Sequence, residues 1–160
     1  MRMFEKLEEI LLVILFLTAF GVLVLQILSR HFFPYPLAWS EEAARFLFLW
    51  IVFLGAAYLV RLNGHISITL LTNRFPSRLR TTVYMAMQLL VLGFAVALCW
   101  HGTDVAWKVR KLPTIAMGIS SSWEYAAVPV SAALIAVRTA ANLMRAARHG
   151  APKDADGSLI

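Results

Sequence analysis

The stretch WSEEAARFLFLWIVFLGAAYLVRLNGH, residues 39–65, decides the fold. Ser40 stands where a helix is capped, and Glu41 and Glu42 fall in the first turn, where the positive end of the helix dipole favours carboxylates. Phe46 to Val60 carries no charge, and Arg61 with Asn63-Gly64 closes the run, since Asn and Gly readily take the left-handed conformation that ends a helix. Fifteen residues at about 1.5 Å each give roughly 22 Å, short of the ~30 Å hydrocarbon core of a bilayer. Arg45 and Glu42 therefore lie at the membrane boundary or within it. Ionisable groups beside lipid face a function or a partner by default. On a helical wheel Trp39, Phe46, Trp50, Phe53, Ala57 and Arg61 share one stripe, with Glu41, Phe48, Val52 and Gly55 roughly opposite. Two such faces need two neighbours, or one neighbour and lipid.

Working outward, composition agrees with a span. Hydrophobic residues make up 60% of the 160 and charged residues 15%, too apolar for a soluble domain. The net charge of +6 does not imply nucleic acid, because the basic residues sit between apolar runs and in the tail, where they anchor loops. The single Cys99 lies in an apolar run, which excludes an intrachain disulfide or a cysteine metal set and reads as packing.

Upstream, Ile10 to Leu28 supplies nineteen residues without an ionisable group, a full span. It is longer than a signal-peptide core and ends in Ser29-Arg30-His31 rather than a cleavage site, so it reads as an uncleaved helix. SRHFFPYPLAW, residues 29–39, breaks the helix with two prolines and places aromatics at headgroup depth. Downstream, residues 61–81 contain four arginines and no acid; periodicity does not decide between helix and extended chain over 66–75. Pro76 opens a third helix, apolar from Val83 to Trp100 except for Gln88, with Asp104 and Lys108 spaced to pair one turn apart beyond it. LPTIAMGISSS, residues 112–122, is a loop. Ser121 and Glu124 form a capping box for a fourth span, which Pro129 kinks and in which Arg138 snorkels to the nearer interface.

The expected architecture is an all-α integral membrane protein of four transmembrane helices, tilted, with a short interfacial segment between helices. The spans cover about 10–28, 43–60, 83–101 and 123–144 of a single membrane domain over 1–148. Residues 149–160 are a disordered cytoplasmic tail. With four spans, ten basic residues fall on the side of the termini and five on the other (Arg30, Arg45, Lys108, Arg110 and Lys111), which places both termini in the cytoplasm.

Chemistry finds little to stand on. His31 and His101 share the outer side, but each lies at a helix end and there is no second pair, so interfacial histidines are favoured over haem ligands. The first, third and fourth spans hold no mid-membrane acid for ion coupling. Ser120, Ser121 and Ser122 have no nearby His, and no nucleophile–base pair, phosphate loop or nucleotide fingerprint occurs. No enzyme activity and no cofactor are expected. Glu41 and Arg45, four apart, read either as a surface ion pair or as a polar contact with a second membrane protein, with Gly55-Ala56-Ala57 allowing close helix approach.

W-S-E-E-A-A-R, then W-I-V-F-L-G-A-A, then R-L-N-G-H-I resembles the small membrane subunit of tripartite ATP-independent periplasmic (TRAP) transporters. Trp39, Glu41, Glu42, Trp50, Phe53, Gly55, Arg61, His65 and Ile66 match the family's positions. F-P-S-R-L-R before the third span and W-E-Y-A-A-V-P-V in the fourth, with Trp123 and Pro129, are also similar, although the family's usual glycine after that proline is absent. The resemblance implies a non-catalytic scaffold in a secondary active, sodium-coupled importer of an organic acid in the bacterial inner membrane. Its partners would be a large membrane subunit, on a separate polypeptide, a periplasmic substrate-binding protein and membrane lipids. The interface implied is Trp39, Glu41, Glu42, Arg45, Trp50, Phe53, Gly55, Arg61 and His65. The competing reading is a membrane anchor of a redox enzyme binding haem or quinone.

Overall fold

The computed structural model describes residues 2–32, 37–61 and 77–149. Expectations for Asn63, Gly64, His65, the 66–75 segment, Pro76 and the tail beyond residue 149 lie outside the described residues. Four helices are long and apolar enough to cross a membrane. They are α1 (Arg2–Phe32), α2 (Ala38–Arg61), α3 (Ser77–Lys108) and α5 (Ala127–His149), with a one-turn α4 (Ser122–Tyr125) just ahead of α5 and a 3-10 turn, Val109–Lys111, after α3. The described chain contains no strand beyond an isolated antiparallel bridge between Pro113 and Ser120.

In hydrocarbon a hydroxyl has no water to bond, so it turns to its own helix. Thr18 Oγ1 donates to the Ile14 carbonyl at 2.7 Å, Ser29 Oγ to Gln26 at 2.9 Å, and Thr103 Oγ1 to Cys99 at 2.7 Å. Ser40 behaves the same way, which corrects its expected role. The helix begins two residues earlier, at Ala38, and the buried Ser40 hydroxyl donates to the Leu37 carbonyl at 2.7 Å instead of accepting a first-turn N–H.

The four long helices form an open row in the order α1, α2, α5, α3. Among the described residues the backbone of α1 runs against α2, with Glu8 reaching across to Arg138 of α5; α2 also packs on α5, and α5 on α3; α1 and α3 do not meet, nor do α2 and α3. The seams explain the choice. The residues buried in them are mostly small, including Ala57, Ala95, Ala127, Ser131, Ala132 and Thr139, as expected where dispersion and close backbone approach replace a hydrophobic driving force. Gly102 marks the tightest approach: a Cβ there would stand 3.0 Å from Val128 Cγ1, 3.1 Å from Pro129 Cδ and 3.3 Å from Pro129 N. The large apolar side chains, such as Phe16, Phe20, Phe48, Leu90, Phe94 and Val137, point outward. Gln88 is buried, as are Leu54 and Glu124, and its amide Nε2 donates to Tyr84 Oη at 2.8 Å.

The fourth span is broken in two. The break between α4 and α5 falls at Ala126: Ala126 N–H still donates to Ser122 O at 2.9 Å and Val130 N–H to Ala126 O at 3.2 Å, but Pro129 has no N–H to give the Tyr125 carbonyl.

Candidate functional site

Helix α2 is tied to the rest of the chain at both ends, and those ties are where the charged residues of the sequence collect. At its N-terminal end the tie is to the hairpin between α3 and α4. Thr114 N–H donates to Ile119 O at 2.7 Å and Gly118 N–H to Thr114 O at 3.1 Å; Gly118 takes φ +66°, which a side chain would strain. This turn aims the amides of Ala116 and Met117 at Glu42, whose carboxylate accepts both at 3.0 and 2.9 Å. One turn along, Arg45 Nε donates to Glu124 Oε1 at 2.8 Å. Glu124 is buried while Arg45 is mostly exposed, so the arginine is what the buried carboxylate depends on. Trp50 Nε1 then donates to the Trp123 carbonyl at 3.2 Å, and its ring lies 6.4 Å from that of Phe46.

Two expectations change here. Arg45 pairs across the fold with Glu124 and not along the helix with Glu41, which is left exposed. The capping box is not formed either: Ser121 makes no side-chain cap bond, the Glu124 N–H donates to the Ser121 carbonyl at 3.0 Å, and the Glu124 carboxylate is engaged by Arg45. Ser120 serves instead, donating to Arg110 O at 2.7 Å and accepting Ser122 N–H at 3.3 Å.

At the opposite end of α2, Arg138 turns inward from α5. One guanidinium nitrogen donates to both oxygens of Glu8 at 2.9 and 2.7 Å, and another donates to the Ala57 carbonyl. Arg61, stacked on the Tyr58 ring at 4.6 Å, reaches the same Glu8 at 3.5 Å. Arg138 is held by a carboxylate on α1 and a buried carbonyl on α2. The sequence signal for this was an arginine inside a span, which calls for an acid at the same depth, and the acids at the start of α1 lie on the same side of the bilayer. A gap of 130 positions hid which one. Against these, Asp104 and Lys108 pair at 2.7 Å on the exposed helix surface, as their spacing predicts.

Of the remaining interface candidates, Trp39 is exposed, Phe53 is half-buried, and Gly55 has nothing within 4 Å of where a Cβ would stand. Pro129 lies against Gly102 at the α3–α5 seam. His31 and His101 sit on α1 and α3, the two ends of the row, which do not touch. Among the described residues no three of His, Cys, Asp and Glu come together as a metal site.

Fold and polar contacts together define a multi-pass helical membrane protein in which Glu8, Arg45, Arg61, Glu124 and Arg138 are engaged in joining its own helices. Residues 19–149 match the family described as tripartite ATP-independent periplasmic transporters, DctQ component, and the chain belongs to that family: it is a TRAP transporter small permease subunit. It is 40% identical over 139 residues to the sialic acid TRAP transporter permease protein SiaT of Haemophilus influenzae, covering 86% of this chain and 22% of that one. It thus spans about a fifth of that relative's length. It is also 30% identical over 137 residues to the sialic acid TRAP transporter small permease protein SiaQ of Vibrio cholerae, 86% of this chain and 79% of the other. A C4-dicarboxylate TRAP transporter small permease protein, DctQ, from the same species is 30% identical over 112 residues, 64% of this chain and 48% of that one.

Proposed function

We propose that this chain is the non-catalytic scaffold of a sodium-coupled TRAP transporter in the bacterial inner membrane. It would hold the static part of a large permease subunit while that subunit moves an organic acid delivered by a periplasmic binding protein. Both termini would be cytoplasmic, with residues 149–160 a disordered tail after one membrane domain. The observation that carries this reading is the open row: its helices leave broad apolar faces uncovered, while the charged residues that could couple ions or bind an acid are spent on internal contacts. That SiaT carries the matching stretch within a much longer permease supports a large membrane partner for it.

The internal roles of Glu42, Arg45, Trp50 and Arg61 move the proposed interface to the opposite face of α2. Glu41, Phe48, Val52 and Leu59 are exposed there, in line with the open notch at Gly55, while Trp39 and Phe53 lie on the other stripe. A Gly55→Leu variant tests this cleanly, because the isolated chain has room for the new side chain while a partner helix seated in the notch does not. Full expression in the membrane with loss of co-purification and of uptake is expected. Unchanged recovery of the large subunit and unchanged uptake would overturn this interface.

A further inference from the structure

The cluster at the foot of the row is not balanced. Among the described residues two guanidiniums, Arg61 and Arg138, face one carboxylate, Glu8, leaving one positive charge in excess. Arg138 is held by three hydrogen bonds to Glu8 and the Ala57 carbonyl, whereas among the described residues Arg61 meets Glu8 only at 3.5 Å, the outer limit of a hydrogen bond. Beside this excess charge lies a cavity of about 320 Å³ whose other walls are Leu7, Leu11, Leu54 and Leu134. That volume is roughly ten waters' worth, yet apolar walls make it a poor home for water. It joins one cationic edge to a hydrocarbon-like wall.

We propose that this cavity binds the phosphodiester head of an anionic phospholipid, with Arg61 as the phosphate ligand and the leucines receiving the start of an acyl chain. Arginine's planar fork suits a phosphate oxygen pair, and one monoanionic head restores neutrality to the cluster. A zwitterionic head brings a cation of its own and leaves the excess charge uncompensated. The ligand needs only insertion in a bilayer; it does not depend on the partner subunit, so its test stands apart from that of the scaffold reading.

The experiment is native mass spectrometry of the full chain in mild detergent, titrated separately with phosphatidylglycerol, phosphatidylethanolamine and inorganic phosphate. Expected is one retained phosphatidylglycerol per chain, held about tenfold more tightly than in Arg61→Gln, with phosphatidylethanolamine weaker and phosphate unable to compete at millimolar concentration. Arg61→Lys, which keeps the charge, should retain part of the binding. Leu11→Trp, which fills the cavity from an exposed position and leaves the charges in place, should abolish it, with unchanged helicity by circular dichroism. Equal retention of both lipids, full retention in Arg61→Gln or Leu11→Trp, or displacement by phosphate would each overturn the proposal.

Discussion

Glu8→Ala is the sharpest perturbation of the fold. It strands Arg138, whose side chain is 22% exposed, and removes the one ion pair that links α1 to α5 among the described residues. Removing one partner of a buried pair costs about 3–5 kcal/mol; partial exposure of both side chains and the Ala57 carbonyl that Arg138 keeps bring this to about 2–3 kcal/mol. For a chain of this size each kcal/mol is worth about 2–4 °C, so the melting temperature should fall by roughly 5–10 °C. Because helical membrane proteins unfold irreversibly in detergent, wild type and variants are compared at one scan rate by fluorescence-detected size exclusion. Arg138→Met should cost a similar amount, since it leaves Glu8 with only the long contact to Arg61. The double variant Glu8→Leu/Arg138→Met, which replaces the pair by packing apolar groups, should recover most of the loss. If either single variant melts within about 1 °C of wild type, or if the two losses simply add in the double variant, the pair does not couple these helices and the reasoning fails.

Gly102→Ala pushes a methyl into Val128 and the Pro129 backbone, and should destabilise by about 1–3 kcal/mol, read as a lower melting temperature, with Gly102→Leu worse. Trp50→Phe keeps the ring and loses only the donor to Trp123 O, so a loss of about 0.5–1.5 kcal/mol is expected, measured the same way. In Glu42→Ala the amides of Ala116 and Met117 lose their acceptor; hydrogen exchange by mass spectrometry should accelerate over the hairpin and not over α5. Arg45→Ala leaves the Glu124 carboxylate buried without its arginine, and the Arg45→Ala/Glu124→Gln double variant should be the more stable of the two in melting.

The four helices were legible because a bilayer imposes length and apolarity on every span, and these survive in any sequence window. Their neighbours were not. Fifteen residues between α2 and α3 allow α3 to land beside either α2 or α5, and nothing local decides; the choice lies in Gly102 and the alanines of α5, which matter only once matched. The ends of α2 show the same limit. Sequence correctly marks Glu42, Arg45, Trp50 and Arg61 as an unusual set, and local spacing offers Glu41 to Arg45 as a partner. A carboxylate 79 positions away holds a better place, because it is buried and Glu41 is not. Resemblance carried the family, while the internal use of its matching residues came only from the coordinates.

The row has a bearing on how the protein is made. Helices enter the bilayer in chain order, and α1 and α2 can pair as soon as both are inserted. When α3 follows, its only long neighbour among the described residues, α5, does not yet exist. It must wait alone in lipid, with Gln88 among its span residues, until α5 arrives and closes on it from the side that already holds α2. The last helix synthesised is thus the one that joins two separate pieces, and a chain cut short before α5 would leave a helical hairpin and an orphan for the cell's quality-control proteases.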